Sequence, residues 1–448
     1  MKESNYNVWA RRDDRYYVYN GMSGSLLGMP AHDHAALRRY LDNTETRDVS
    51  ADLLAKLAVG RMLVPDDADE LLTLQRRYET SRQANDRLVL TIVSSLGCNF
   101  DCPYCFEAKY PSILAPDVQL QILKLVDDQL PKISTLHVSW FGGEPLLGKK
   151  SLLDLSDAFI ARCDRAGITY AADIITNGYL LDDTACAELR QRRVALVQVT
   201  LDGPPEIHDR MRPLVSGRGS FARILKNLHH AAEVFDVAVR VNIDAENFAH
   251  ADRLFQILAA NGFAGKLTVY PGQLVGVDDG APAPSATYRA CCFTRSEFAK
   301  AELAFKKLAD AHGFATTSLP GPSGAPCTAV RANELVIGSE GQLYKCWESV
   351  GNDHETIGHV SDYQSSDRRL QKWLKFDPFD DPECRGCIAL PVCMGGCAHH
   401  AMDRLQYENR CSTFRYTYRE QVEAFVDRNE ANPGRAIPAR RAAVLDTR

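Results

Sequence analysis

Three cysteines, Cys98, Cys102 and Cys105, stand at C-x3-C-x2-C spacing directly after an apolar, strand-like run. Three thiolates on one tight loop can hold three irons of a 4Fe–4S cube and leave the fourth iron open to a small molecule. A structural zinc site asks for a fourth protein ligand, and none lies nearby in the sequence. Burial as three apolar cysteines is the bland alternative. Tyr104, with Phe100 and Phe106, can wall off a cluster or stack on an aromatic ligand, and can equally be ordinary packing. Gly142-Gly143-Glu144-Pro145 closes the next strand-like run. Two glycines let backbone approach a ligand closely, and a carboxylate there can accept from an ammonium; taken alone, the four residues also read as a turn. Further on, Cys327 and Cys346 precede Cys384-x2-Cys387-x5-Cys393-x3-Cys397 and then Cys411. Such an array ligates clusters or zinc, and its spacing alone does not choose between them.

Taken in order, these motifs resemble the radical S-adenosylmethionine (SAM) superfamily, and the second array resembles its SPASM domain. The resemblance runs from about residue 90 to 425. It implies that Cys98, Cys102 and Cys105 bind the cluster whose open iron chelates SAM. An electron then cleaves SAM to methionine and a 5′-deoxyadenosyl radical, which takes a hydrogen from substrate. It implies that Gly142, Gly143 and Glu144 bind the SAM amino group. Tyr104, Asn177, Thr200, Asp202 and Asn242 are the further cofactor contacts it suggests. The run His208-Asp209-Arg210-Met211-Arg212 also looks like the peptide-modifying branch, although its charges can serve only to order a loop.

The SPASM likeness implies two auxiliary 4Fe–4S clusters, three in all. Carried over by position, Cys384, Cys387, Cys393 and Cys411 hold the outer one, and Cys327, Cys346 and Cys397 the inner one. Seven thiolates leave one cluster a ligand short, so either the inner cluster has an open iron or Cys291 or Cys292 closes it. Cys163 and Cys186 lie within helix-like patterns and read as core, and His399 and His400, which could be ligands, read as packing or as support for the ligands beside Cys397. The catalytic acid or base is not legible. The implied reaction is a thioether or carbon–carbon cross-link in a precursor peptide bearing a leader, with flavodoxin or ferredoxin as electron donor. The alternative is anaerobic sulfatase maturation, oxidising Cys or Ser to formylglycine. That alternative expects a carboxylate immediately after the second cysteine of the auxiliary array; here Trp347 stands there, with Glu348 one further on. A zinc-stapled adaptor is the non-enzyme reading, and it leaves the cysteine triplet and the Gly-Gly-Glu-Pro turn together unexplained.

The elements that must position these residues follow from periodicity. Strand-like runs at Leu88–Val93, Leu136–Trp140, Ala172–Thr176, Leu196–Leu201, Val237–Ile243 and Leu267–Tyr270 alternate with helical patterns such as Val118–Leu130, Leu152–Cys163, Phe221–Val234 and Leu254–Ala260. Alternating βα units imply a parallel sheet with right-handed crossovers, here an α/β partial (β/α)6 barrel with its chemistry at the carboxyl ends of the strands. Residues 1–88 read as strand–helix–helix–strand–helix, with a strand at Tyr16–Tyr19 and a turn at Met62–Val64, which suits a winged-helix-like module; it resembles the leader-recognition element of peptide maturases, and a small capping domain is the plain alternative. The barrel is expected over 89–310, the cysteine-rich iron–sulfur domain over 311–425, and a disordered tail over 426–448.

The chain has 448 residues, 45% apolar and 25% charged, a soluble globular composition with room for two or three domains. Its formal charge of −6 speaks against a broad grip on nucleic acid. No apolar run is long enough to span a membrane, and no secretory signal opens the chain, so a cytoplasmic protein is expected. With no export signal, the 14 cysteines read as reduced metal ligands rather than disulfides.

Overall fold

The computed structural model describes residues 1–42, 49–275, 283–288, 292–314, 316, 318–363, 368–403 and 406–431. The chain opens with strands Lys2–Glu3 (β1), Asn7–Arg12 (β2), Arg15–Asn20 (β3) and Ser25–Pro30 (β4). Helices Ala31–Leu41 (α1) and Ala51–Val59 (α2), strand Leu63–Val64 (β5) and helix Glu70–Gln83 (α3) follow. β2, β3 and β4 form an antiparallel sheet, and β1 pairs with β5. Before the first helix the sequence reading expects one strand, Tyr16–Tyr19, where the structure has four. Val8 and Ala10 alternate into the interior, at 2% and 6% exposure, but the arginines that follow hide the alternation.

Six parallel strands carry the middle of the chain: Arg87–Ser95 (β6), Thr135–Gly142 (β7), Thr169–Thr176 (β8), Val194–Thr200 (β9), Asp236–Ile243 (β10) and Leu267–Gln273 (β11). They lie side by side in sequence order. The crossovers run through Pro116–Gln129 (α4), Lys149–Ala166 (α5), Asp183–Gln191 (α6), Pro205–Met211 (α7), Phe221–Val234 (α8) and Ala251–Ala260 (α9), and Arg295–Ala311 (α10) follows β11. The sheet curls. Tyr104, in the loop after β6, donates to Asp202, just past β9, and its hydroxyl accepts from Asn242 Nδ2 on β10 at 3.3 Å. In a flat sheet β6 and β10 would stand about 19 Å apart. Cys163 and Cys186 sit fully buried on α5 and α6, packed in the core as expected.

The expected boundary near residue 310 does not divide the sheet. Strands Glu334–Ile337 (β12), Gln342–Tyr344 (β13) and Gly358–His359 (β14) extend it past β6, with β12 parallel to β6 and Leu335 opposite Leu90. The N-terminal module is also bound into the rest. Val8, Ala10 and Tyr19 pack with Ala389, Phe414 and Val422, and Arg12 pairs with Asp427 at 2.7 Å. Helix Phe414–Ala431 continues beyond residue 426, which corrects the start of the expected tail; residues 432–448 lie outside the described set. No helix among the described residues is long and apolar enough to cross a membrane.

Lys345 joins β13 to the loop before β12. Its ammonium is buried and donates to the carbonyls of Arg331 and Glu334. Burial pulls its pKa down to about 8 against the charges of Glu334 and Cys327. Lys345→Met would leave both carbonyls without their donor, so chemical unfolding should report a loss of about 1–3 kcal/mol, against little change for Lys372→Met at the surface.

Candidate functional site

The cysteine loop and the glycine turn form one unit. Gly143 N donates to Ser95 O at 3.1 Å and Glu144 N to Gly97 O at 2.9 Å. Gly142 takes φ 129°, and a Cβ there would stand 2.2 Å from Ser95 O. A Cβ on Gly143 would come within 2.6 Å of both Leu96 O and Gly97 O. Only two glycines let the end of β7 lie this close to the residues entering Cys98.

Glu144 is fully buried, and its carboxylate faces the protein on three sides. Leu146 N donates to it at 3.0 Å, Thr176 Oγ1 at 2.8 Å and Asn177 N at 2.8 Å. Of the roughly four lone-pair directions a carboxylate offers, one stays open. Burial pushes its pKa up, and these three donors oppose the shift. Asn177, expected at the cofactor, spends its side chain locally: Nδ2 donates to Asn99 Oδ1 at 2.7 Å and lies 3.9 Å from Cys98 Sγ, while Oδ1 accepts from Tyr179 N at 3.0 Å. Thr200 is buried at the end of β9, opposite Arg240.

A second mesh closes the other side of the mouth. Asp202 Oδ1 accepts from Asn242 N at 2.9 Å, and its other oxygen accepts from the Tyr104 hydroxyl. Arg212 Nη1 donates to the same hydroxyl at 2.6 Å and stands 3.8 Å from Asp202 Oδ2. Arg212 is buried, its guanidinium lies over the Phe100 ring at 5.5 Å, and among the described residues its Nε has no hydrogen-bond partner. A buried guanidinium with one nitrogen unpaired is what an anionic ligand group would complete. The sequence reading noted the run containing Arg212 without separating this residue from its neighbours, because the spacing of charges there fits a loop equally well.

His208 supports that mesh. Asp202 N donates to its Nδ1 at 3.2 Å. Ser220 Oγ sits 3.1 Å from its Nε2 and gives its own proton to Arg212 O, so Nε2 carries the hydrogen. The ring is therefore neutral, and burial followed by Arg212 drives its pKa well below the ordinary histidine value.

The remaining cysteines fall into two groups. Cys384, Cys387, Cys393 and Cys411 line one void with Leu390 and Gly395. Burial pushes the thiol pKa values of Cys327 and Cys346 up, with Cys397 close enough to both to add to the rise, and Trp347 packs on Phe141 at the end of β7 with ring centroids 5.4 Å apart. Among the described residues no three His, Cys, Asp or Glu side chains converge as ligands of one ion. A cube asks for spread sulfurs, since each iron takes one thiolate. Cys292 lies at the barrel mouth, packed with Ile207, Met211 and Leu274, while Cys291 lies outside the described residues. His399 and His400 approach Glu348 at 3.7 and 3.5 Å. This pairing was not legible, because Glu348 and the histidines stand some fifty residues apart in the sequence.

Residues 92–258 match the family described as the radical SAM superfamily. The chain is 27% identical over 327 residues to a serine-type anaerobic sulfatase-maturating enzyme of Klebsiella pneumoniae, covering 68% of this chain and 79% of the relative. Its fold is that of native anSMEcpe with bound AdoMet and Cp18Cys peptide (TM-score 0.57, 18% identity, 76% of this chain and 99% of that one). It is also that of Streptococcus suis SuiB bound to precursor peptide SuiA (TM-score 0.53, 14% identity, 92% of this chain and 99% of that one).

The neutral state of His208 has a pH consequence. A histidine whose folded pKa is depressed contributes stability that is complete above its unfolded pKa of about 6.5 and is lost as pH falls below it. Melting temperature between pH 7.5 and 5.5 should therefore fall more steeply in the wild type than in His208→Gln, which should be the less stable of the two at neutral pH.

Proposed function

The chain is a radical SAM enzyme, with its radical SAM domain over residues 92–258, and from that premise we propose that it modifies a residue of a ribosomally made precursor peptide. The product is a thioether or carbon–carbon cross-link. The residues fit the groups this needs. Cys98, Cys102 and Cys105 are free thiols on one loop and would each bind one iron of the first cube. Cys384, Cys387, Cys393 and Cys411 would hold the outer auxiliary cube; Cys327, Cys346 and Cys397 would hold the inner one. SAM bound at the reduced first cube supplies hydrogen-abstracting chemistry. The open lone-pair direction of Glu144 and the carbonyls of the glycine turn would receive its ammonium, and the unpaired Nε of Arg212 its carboxylate. Tyr104, Thr200, Asp202 and Asn242 would shape the rest of its pocket, while Asn177 would hold the cysteine loop in place.

The observation that carries the peptide reading is the N-terminal sheet. β2 lies against helix Phe414–Ala431, whereas β4 pairs with β3 alone among the described residues. An unpaired edge accepts a leader as an added strand, with main-chain hydrogen bonds far from the reacting residue. The fold of SuiB covers 92% of this chain and that of anSMEcpe 76%, and the difference is close to the size of this module. Sulfatase maturation is the second reading. It is favoured by the relative from Klebsiella, and the Trp347 side chain in the position where a base is expected weighs against it.

Two measurements test the proposal. Anaerobically reconstituted protein should hold roughly 12 Fe, and replacing Cys98, Cys102 and Cys105 with Ala should remove about four and abolish SAM cleavage. Zinc near stoichiometry with little iron would overturn the assignment. The second uses β4. Leu26→Pro and Leu27→Pro each remove one N–H, from the β3 ladder in one case and from the free edge in the other. The variant that keeps its melting temperature should lose turnover of leader-bearing precursor about tenfold or more while keeping uncoupled 5′-deoxyadenosine formation. A hydrazide-reactive aldehyde in the product would assign formylglycine instead of a cross-link.

A further inference from the structure

Among the described residues, one arginine on a barrel strand makes no ion pair. Arg240 lies on β10 on the face shared with Ala238 and Asn242, and its side chain is half-buried. Its Nε donates to Asn242 Oδ1 at 2.7 Å, and among the described residues neither terminal nitrogen has an acceptor. Asp202 and Glu348 both feel its charge, yet no ion pair among the described residues joins either one to it. The space around the guanidinium is built. On neighbouring β11, a Cβ at Gly272 would stand 2.5 Å from Arg240 Nε and 2.7 Å from Asn242 Oδ1, so bare backbone is what lets the side chain lie there.

Half-burying a guanidinium costs solvation that is recovered only when acceptors meet it. Since Asn242 uses Nε, the edge left open is the pair of terminal nitrogens, the fork that matches a carboxylate with two parallel hydrogen bonds. The location is next to the chemistry: Asn242 Nδ2 reaches the Tyr104 hydroxyl, so a single side chain links Arg240 to the mesh around Asp202. Glu348, from the cysteine-rich region, stands near enough to feel the charge of Arg240 and is held by His399 and His400. Its charge disfavours a second acid and so confines a carboxylate to the Arg240 end.

Resting on the peptide-modifying reading above, we infer that Arg240 is a specificity-determining residue that receives the carboxylate of an Asp or Glu side chain in the substrate peptide, close to the residue being modified. The cofactor carboxylate does not need Arg240, because Arg212 offers its own unpaired nitrogen on the other side of Asp202.

The test is a selection with pooled random peptides of about a dozen residues, each with a central Cys or Ser. The pool is passed over iron-reconstituted, full-length protein in the presence of SAM, and the retained peptides are sequenced by mass spectrometry. The wild type should enrich Asp and Glu about fivefold or more at one position relative to the centre. Arg240→Gln should lose that enrichment, and Arg240→Glu should replace it with Lys and Arg. Arg240→Lys, which keeps the charge and loses the fork, should retain a reduced preference, and it serves as the reading if the Gln variant fails to take up iron. No acidic enrichment by the wild type, or full enrichment by Arg240→Gln, overturns the inference. So does a change in the SAM dissociation constant of Arg240→Gln by more than about threefold, which would give the residue to the cofactor. Uncoupled formation of 5′-deoxyadenosine is measured in parallel. Its absence from the wild type counts against the enzymatic reading, while the selection reports on Arg240 alone.

Discussion

The turn Gly142–Gly143 lies so close to the backbone of Ser95, Leu96 and Gly97 that no side chain fits between them. The contact is made of main-chain atoms: Gly143 N meets Ser95 O and Glu144 N meets Gly97 O. The cysteine loop therefore leaves β6 in a direction set by the end of β7, one strand away. Glu144 passes the constraint on, since its buried carboxylate gathers donors from its own turn and from Thr176 and Asn177 at the end of β8. Asn177 returns it to Asn99, beside Cys98. Three strand ends are thus tied into a ring around one cysteine. A buried carboxylate is tolerable there because fixed dipoles replace its water.

On the opposite side the polar groups carry opposite charges and a different logic. Asp202, Tyr104 and Arg212 form a buried acid–phenol–guanidinium group whose members hold one another, with His208 and Ser220 fixing the backbone on which two of them sit. Burial drives the Asp202 carboxyl up while the guanidinium, the Tyr104 donor and the Asn242 amide draw it down. Such a network is demanding, because removing one member leaves the others unsatisfied in a low dielectric. The curl of the sheet is what permits it, and it in turn ties the loop after β6 to the ends of β9 and β10.

Much of this was legible, for identifiable reasons. The six barrel strands announce themselves because strands buried on both faces must be nearly continuous in apolar residues. The cysteines are legible because their chemistry needs the residue type itself. Strand β2 of the N-terminal module escaped, since a six-residue strand ending in two arginines leaves little periodic signal. Helix Pro205–Met211 is short and escaped similarly. Side-chain partners were the least legible. The sequence states that Asn177 and Asn242 stand at strand ends, but only packing decides that one clamps Asn99 and the other orients Arg240 and Tyr104.

The same reasoning bears on how the three regions act together. A boundary that runs through a continuous sheet is not a hinge, and β12 pairs with β6 directly beneath the cysteine loop. The N-terminal module is equally committed: Tyr78 donates to Phe376 O at 2.9 Å, and Arg82 donates to Leu374 O at 2.6 Å and Phe376 O at 3.2 Å. These bonds join α3 to the backbone of the cysteine-rich region, while Tyr19 and Val8 share an apolar cluster with Ala389 and Phe414. Module, barrel and cysteine domain are therefore held by main-chain and core contacts, whose geometry is far less adjustable than that of surface charges. A ligand held on β4 would thus stand at a set distance from the barrel mouth, and reaching the Arg240 side of the lumen would be the task of the ligand's own chain rather than of a moving domain.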